Sequence, residues 1–238
     1  MKLITWNCCR GAYAARIAAA LDLGADVAIL QECARPDTLL GRNNCAWFGS
    51  NTRQGVAIVT SNGFSVEALS PAGGASAYAA RIVGAVSFNL LAVWSVPDPT
   101  YARAVTRELE SRRAFLLDAP VVVAGINTNG IWDADDRSVN HSTLVCMLAE
   151  EFGLVSAYHQ HFSELQGRES RPTHYWQWHE AKPFHIDYCF IPQSWVPAMG
   201  SVAVGNYQDW ARQSDHRPLA VDLLDAVLGD VAPTSPRE

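Results

Sequence analysis

The sequence predicts an α+β fold in which two β-sheets pack together and are covered by helices. Three observations carry this. About a dozen short segments rich in β-branched, aromatic and other apolar residues recur along the chain. Three longer segments have helical spacing instead. No internal repeat, low-complexity tract or linker-like shift in composition interrupts the pattern, so one domain spanning residues 1–224 is expected, followed by a disordered tail, 225–238.

"KLITWN" alternates and reads as a strand ending at Asn7. "AYAARIAAALDLG" is Ala-rich and stops at Gly24, which predicts a helix. "DVAILQE" is a nearly continuous apolar run, the mark of a central strand, and ends at Glu32. "GVAIVTS" and "FSVEAL" predict a hairpin around "SNG". "YAARIVGAVS" and "FNLLAVWS" read as two longer strands. "TYARAVTRELESRRAFLLD" is the clearest helix, with Thr100 as its cap and an apolar face of Ala, Val, Leu and Phe. "VVVAG" is a strand, "SVNHSTLVCMLAEEFG" a helix stopped by Gly153, and "HIDYCFIP" and "RPLAVDLL" are strands.

Hydrophobic residues make up 49% of the 238 positions and charged residues 18%, enough for a sizeable core. The net charge of −6 argues against broad, non-specific nucleic-acid binding, which needs a basic surface. It leaves room for a small cationic site that draws phosphate locally. The N-terminus enters a strand at once, and no apolar run approaches the ~20 residues of a membrane span. A cytoplasmic monomer without a membrane partner is expected. The six cysteines (Cys8, Cys9, Cys33, Cys45, Cys146, Cys189) contain no CxxC pair and read as free thiols.

Polar residues gather where strand patterns stop. These are Asn7, Glu32, Asn127 and Asn129, then Asp187 within "HIDYCF", then Asp215 and His216 before the last strand. Functional groups favour such loops at one end of a rigid sheet. A carboxylate such as Glu32 at the end of a buried strand must be paired, hydrated or metal-bound. A hard cation such as Mg²⁺ is one occupant; capping a helix or pairing with Arg35 is the plainer alternative. A His whose ring N–H meets a carboxylate is held in one orientation and stabilised as a cation, which suits His216 beside Asp187 or Asp215.

Taken in order, "TWNCCRG", "LQEC", the Asn of "INTN", "HIDYCF" and "SDHRPL" resemble the motifs of the endonuclease/exonuclease/phosphatase superfamily. Each motif is weak alone and the ordered set is specific. The resemblance runs from Met1 to about Leu224. It implies a four-layer α/β/β/α sandwich of two mixed β-sheets flanked by helices, and a phosphodiesterase, most simply a nuclease, dependent on Mg²⁺ or Mn²⁺. It implies metal binding by Asn7, Glu32 and Asp215 and phosphate or water positioning by Asn127. Asp187 would orient His216, which would stabilise a phosphoryl oxygen. Tyr101 is a loose match to a phosphate-contacting tyrosine, and Trp94 lies near where many members carry a His.

One departure matters. The family's "GDxN" supplies an Asp that activates the attacking water; this chain reads "AGIN", which puts Gly125 in the catalytic Asp position. Losing a general base costs about 10²–10⁴-fold in rate. Three readings stay open: a form that traps substrate, a substitute acid among Asp133, Asp135 and Asp136, or a non-catalytic binder of nucleic acid or phosphate. Substrate contacts are expected from Asn129, Arg10 and Trp176. Trp176 lies in "PTHYWQWHEAKPFH", whose aromatics either stack on bases or alternate into the core as a strand. The histidines of that stretch, with His159 and His161, match no closed zinc spacing. Arg10, Arg53 and Arg81 are candidates for positive charge at the site mouth. A small-molecule phosphatase is the other enzymatic reading.

Overall fold

A computed structural model describes residues 1–10, 13–39, 42–69, 76–134, 138–224 and Leu228. The expected C-terminal tail, apart from Leu228, and the acids Asp135 and Asp136 lie outside them.

In chain order the first half comprises β1 (Lys2–Asn7), α1 (Tyr13–Asp22), β2 (Val27–Cys33), β3 (Cys45–Asn51), β4 (Gln54–Thr60), β5 (Ser65–Ala68), β6 (Ala77–Val83) and β7 (Phe88–Val93). Next come α2 (Tyr101–Ser111), α3 (Arg113–Asp118), β8 (Val121–Ile126), α4 (His141–Phe152), β9 (Leu154–Ser156) and α5 (Ala157–Phe162). The chain then forms β10 (His174–Tyr175), β11 (Pro183–Phe184), β12 (Asp187–Pro192), β13 (Met199–Val204), α6 (Tyr207–Trp210) and β14 (Leu219–Leu223).

The described strands form two six-stranded mixed sheets, ordered β13-β14-β1-β2-β4-β3 and β5-β6-β7-β8-β12-β9, and a small β10-β11 ladder. β1 runs parallel to β2 and antiparallel to β14, while β8 runs parallel to β7 and antiparallel to β12. The strand alternation sorts side chains into three cores. Leu3, Ile29 and Ile58 face Leu90, Val122 and Ile191 between the sheets. Their neighbours Ile4, Leu30 and Val59 face outward against Ile17 and Ala20 of α1. On the other outer face Leu91, Val123 and Phe190 meet Val105, Leu109, Leu144 and Leu148 of α2 and α4. With both faces covered, the central strands are apolar throughout, which is why "VAIL" and "VVVA" read as continuous runs. The result is the expected α/β/β/α sandwich.

Thr100 caps α2 by accepting from the Arg103 N–H at 3.3 Å. Asn140 and Thr143 form a reciprocal capping box at the start of α4, and Gly153 ends that helix in the left-handed conformation at φ 63°. Two expectations fail. The long helix divides at Arg112 (φ −114°, ψ 20°) into α2 and α3. The hairpin around "SNG" does not form, because β4 pairs with β2 and β3 while β5 pairs with β6 in the other sheet. Asp26 anchors that turn: its backbone carbonyl accepts from Ser61 N–H at 2.9 Å and its carboxylate from Asn62 Nδ2 at 2.6 Å. Phe64 and Val66 then enter the core between the sheets from the opposite side. Burial of those two side chains directs the crossing, and a local turn signal does not report it.

Candidate active site

The polar strand ends come together at one edge of both sheets. Parallel β1 and β2 end there with Asn7 and Glu32, and antiparallel β14 is preceded there by Asp215 and His216. β8 ends and β12 begins at the same edge, with Ile126 opposite Asp187.

Asn7 is buried. Its side chain accepts from the Cys9 N–H at 3.0 Å and donates to Glu32 Oε1 at 3.3 Å. Glu32 sits at φ +51°, where the pairing of β2 with β4 shifts between Leu30 and Cys33. This bulge turns its carboxylate out of the ladder, and such a conformation in a non-glycine residue costs about 1–3 kcal/mol. Exposed Arg10 approaches the other oxygen, Nε to Oε2 at 3.6 Å, while Arg35 pairs with Asp37 instead.

His216 Nδ1 lies 2.8 Å from Asp187 Oδ2, both buried. Burial alone would lower the His216 pKa, but Asp187, with Asp215 and Glu32 behind it, more than offsets burial and the net shift is upward. The pair is held from several sides. Thr173 Oγ1 accepts the backbone N–H groups of Ile186 and Asp187 at 2.9 and 3.0 Å. Ser214 Oγ accepts from His216 N–H at 3.0 Å and donates to the Asn7 carbonyl at 2.7 Å, which ties the histidine to the end of β1. The buried Arg217 guanidinium donates to the Ser214 and His216 carbonyls and lies against the rings of Tyr175 and Tyr207.

A second histidine stands beside the first. His174 and His216 form an isolated β-bridge, their ring centroids are 4.4 Å apart, and His174 Nε2 is 3.7 Å from Asp215 Oδ2. Burial opposes charge on Asp215, yet His174, His216 and Cys9 outweigh it and hold its pKa at about 2. The Cys9 thiol is pushed up to about 11 by burial and by that carboxylate. In the sequence His174 belongs to a histidine group that matches no closed zinc spacing and Cys9 reads as a free thiol; what joins them here is adjacency to Asp215 in space.

Gly125 explains the missing carboxylate. Its φ is +114°, and a Cβ there would lie 2.0 Å from the Val93 carbonyl oxygen and 3.2 Å from Gln31 Nε2. The backbone of this strand end therefore excludes Asp at position 125 without a shift of β7 or β8. The Ser95 hydroxyl donates to the Ile126 carbonyl and holds the two strand ends together. Ile126 (φ 95°) and Asn127 (φ 67°) continue the unusual conformation, and the Asn127 N–H donates to the Ile186 carbonyl at 2.8 Å. Trp94, near the family's His position, packs against the core between the sheets.

Part of this edge lines a cavity of about 720 Å³, with Asp187, Asp215 and Arg10 outside its walls. Asn7, Glu32, Asn127, His174 and His216 are among its walls, and Tyr101, Trp132, Trp176 and Phe184 contribute its aromatic surface. Trp132 and Trp176 are 42% and 53% exposed, so ring faces are open to a ligand. The alternating-strand expectation for "HYWQW" is corrected: β10 covers only His174 and Tyr175, and Trp176–Trp178 form a 3-10 turn with Gln177 at φ +52°. Trp178 lies outside the cavity walls.

Three expected site residues are engaged elsewhere. Asn129 lines the cavity, but its buried amide donates to Glu169, the His185 carbonyl and the Tyr188 hydroxyl. Asp133 also lines the cavity, and it accepts from the His141 and Ser142 N–H groups at the start of α4. Arg81 bonds Asn89 at 3.1 Å and does not line the cavity. No helix among the described residues is long and apolar enough to cross a membrane.

Neither family models nor curated protein sequences give a match. Solved structures do. The endonuclease domain of TRAS1, a telomere-specific non-LTR retrotransposon, is 17% identical with a TM-score of 0.66, covering 93% of this chain and 97% of that one. A 3′ phosphatase NExo variant from Neisseria, bound to a product DNA hairpin, is 17% identical with a TM-score of 0.64, covering 94% and 99%. An endonuclease/exonuclease/phosphatase from Beutenbergia cavernae is 17% identical with a TM-score of 0.60, covering 94% and 71%. This chain has the endonuclease/exonuclease/phosphatase fold. Within that fold, the motifs that carried the resemblance are the segments gathered at one sheet edge, and Gly125 lies among them.

Proposed function

We propose that this chain is a divalent-metal-dependent phosphodiesterase acting on nucleic acid, with slow turnover. The observation that carries it is the convergence of Asn7–Glu32 and Asp187–His216 on one cavity with open aromatic faces. The endonuclease and DNA-bound phosphatase with the same fold support nucleic acid as the substrate class.

The donor set fits a hard cation: Glu32 is turned toward the cavity by its bulge and is bonded to Asn7, and the Asp215 carboxylate acts on the same Cys9 and His216 groups as Glu32. Mg²⁺ or Mn²⁺ bound there would polarise a phosphoryl oxygen and acidify water. His216 presents Nε2, opposite the nitrogen held by Asp187, toward charge on a phosphoryl oxygen. The side chain of Asn127 makes no hydrogen bond among the described residues and lines the cavity, where it would position phosphate or water. Tyr101, at the start of α2, and Arg10 would add phosphate contacts. Trp176 and Trp132 would stack on an unpaired base, a mode suited to single strands and to a protein of net charge −6. Gly125 stands where the base is expected, and Asp133, which lines the cavity, is also bonded to the N-terminus of α4, an arrangement that supports slow turnover. Gly125 also favours a second reading, a binder that retains the cavity without turnover. A small phosphoester remains an alternative substrate.

The test is metal-dependent cleavage of labelled single- and double-stranded oligonucleotides beside a generic phosphodiester. Cleavage that requires Mg²⁺ or Mn²⁺ and is lost in Glu32→Ala and His216→Ala supports the enzyme. Oligonucleotide binding without cleavage supports the binder, and neither binding nor cleavage overturns both.

A further inference from the structure

We infer that the cavity receives the free end of a single strand and does not admit the interior of a chain. The inference deepens the nucleic-acid reading and rests on it for the chemistry of the ligand. A cavity of about 720 Å³ is the size that encloses one small ligand, so it holds a nucleotide unit or little more. What decides between an end and an interior is whether a second opening lets the chain leave.

Most of the rim is bridged. Arg107 pairs with the Asp98 carboxylate at 2.6 Å, which fixes the 96–100 loop and its wall residues Pro97 and Pro99 against α2. Arg103 Nη2 donates to Ser138 Oγ at 2.6 Å, joining α2 to the segment before α4, where Val139 and Asn140 are wall residues. Asn140 Nδ2 donates to the Asp133 carbonyl at 3.3 Å, and Asp133 Oδ1 accepts the His141 N–H at 2.9 Å. The start of α4 is thereby tied to the Gly130–Trp132 turn. The Trp132 ring lies 5.4 Å from that of Phe184, which joins the turn to β11. Phe184 pairs with His174 across the β10-β11 ladder, and His174 bridges to His216. From the 96–100 loop round to His216, each segment is bonded to or stacked on the next.

The interruption lies on the other side. Among the described residues, no hydrogen bond or ion pair joins Asn7, Glu32 or Arg10 to the 96–100 loop; Asn7 and Glu32 bond each other, and Arg10 approaches Glu32. The Arg10 side chain is 73% exposed and outside the cavity walls, so it stands at this gap as a cation for the backbone of an entering strand. A strand that enters past Arg10 meets the bridged rim, with the rings of Tyr101 and Trp132 in the walls ahead of it. Its last base stops against these rings, and the chain has no gap beyond them to leave by.

The experiment measures binding of one oligothymidylate sequence to the whole chain in EDTA, by fluorescence competition. The sequence is offered linear with free ends, linear with a bulky cap on both ends, and closed into a circle. The free linear form should bind about 5–150-fold tighter than the circle, the worth of one stacked base. Capping should bring the linear form down to the affinity of the circle. A circle or a capped strand that binds as tightly as the free one overturns the inference and leaves the nucleic-acid reading intact. No binding of any form overturns both. Trp132→Ala should erase the difference by weakening the free linear form alone; a difference that persists in the folded variant takes the stop away from this rim and overturns the proposal. With Mn²⁺ added, cleavage should release short products from an end of the linear strand and leave the circle closed. A nicked circle overturns the inference while supporting the phosphodiesterase.

Discussion

Two histidine clusters lie close together and behave as opposites. In the cavity, His174 and His216 are each set against a carboxylate and line the cavity wall. Beside it and reaching deeper, His159 bonds Glu169 and Ser156, and His141, itself at the cavity wall, bonds Gln166, whose amide also reaches His159. There His185 bonds the Arg171 carbonyl, and Asn129 joins the group through Glu169. Burial lowers the pKa of both His141 and His185. The rear cluster uses its hydrogen bonds to fasten the 163–171 segment to the loop after β8. The cavity cluster sets His216 against Asp187 and His174 against Asp215. Residue type is the same in both; what separates them is that His174 and His216 face carboxylates, whereas His141 and His185 bond a neutral amide and a carbonyl.

The comparison predicts that cavity variants change chemistry and rear variants change stability. The largest effect is His216→Ala, which should lower kcat per folded molecule on a labelled oligonucleotide by about 10²–10⁴-fold, beside a stability loss of about 1–3 kcal/mol from leaving the buried Asp187 carboxylate unpaired. A near wild-type rate would remove the cavity cluster from the chemistry.

Gly125→Asp comes next. The collision with Val93 and the positive φ should together cost about 2–5 kcal/mol in denaturant unfolding, and activity should not rise. A stable, faster Gly125→Asp enzyme would show that the strand end relaxes readily and that the base alone is missing.

Glu169→Gln should cost about 1–3 kcal/mol near neutral pH, with a much smaller effect on kcat per folded molecule. Burial opposes charge on Glu169, but His159, Asn129 and backbone N–H groups lower its pKa from 4.5 to about 2. A carboxylate depressed on folding stabilises above its unfolded pKa and loses that contribution as pH falls toward the folded value. Wild-type melting temperatures should therefore drop between pH 4.5 and about 2, and Glu169→Gln should flatten that decline. Identical acid limbs would dissolve the distinction between the two clusters.

The smallest expected effect is Trp176→Ala, which should weaken single-stranded oligonucleotide binding by about 1–3 kcal/mol with unchanged melting. Equal affinity would assign the open rings no part in base stacking.

Much of this was legible in the chain. Central strands buried on both faces announce themselves as apolar runs, and Asn7, Glu32, Asp187 and His216 mark the ends of such runs. What escaped depends on distant partners. The crossing from β4 to β5 is decided by which sheet offers a core to Phe64 and Val66, and the local "SNG" signal points the other way. His174 gains its place from a bridge to a residue 42 positions later, which no local period encodes. Asn129 looks like a loop donor in the sequence, yet Glu169, His185 and Tyr188 claim it from far along the chain.

The close approach of Gly125 to Val93 also bears on how such a protein can change over generations. A carboxylate cannot be installed at position 125 by one substitution in this backbone, because the first added carbon meets a main-chain oxygen before any acid is placed. The strand ends around Ser95 and Ile126 would have to re-register first, and that intermediate step brings no base with it. Position 125 therefore works as a ratchet: wherever catalysis is selected, recruiting groups already facing the cavity asks for less backbone change than restoring the motif.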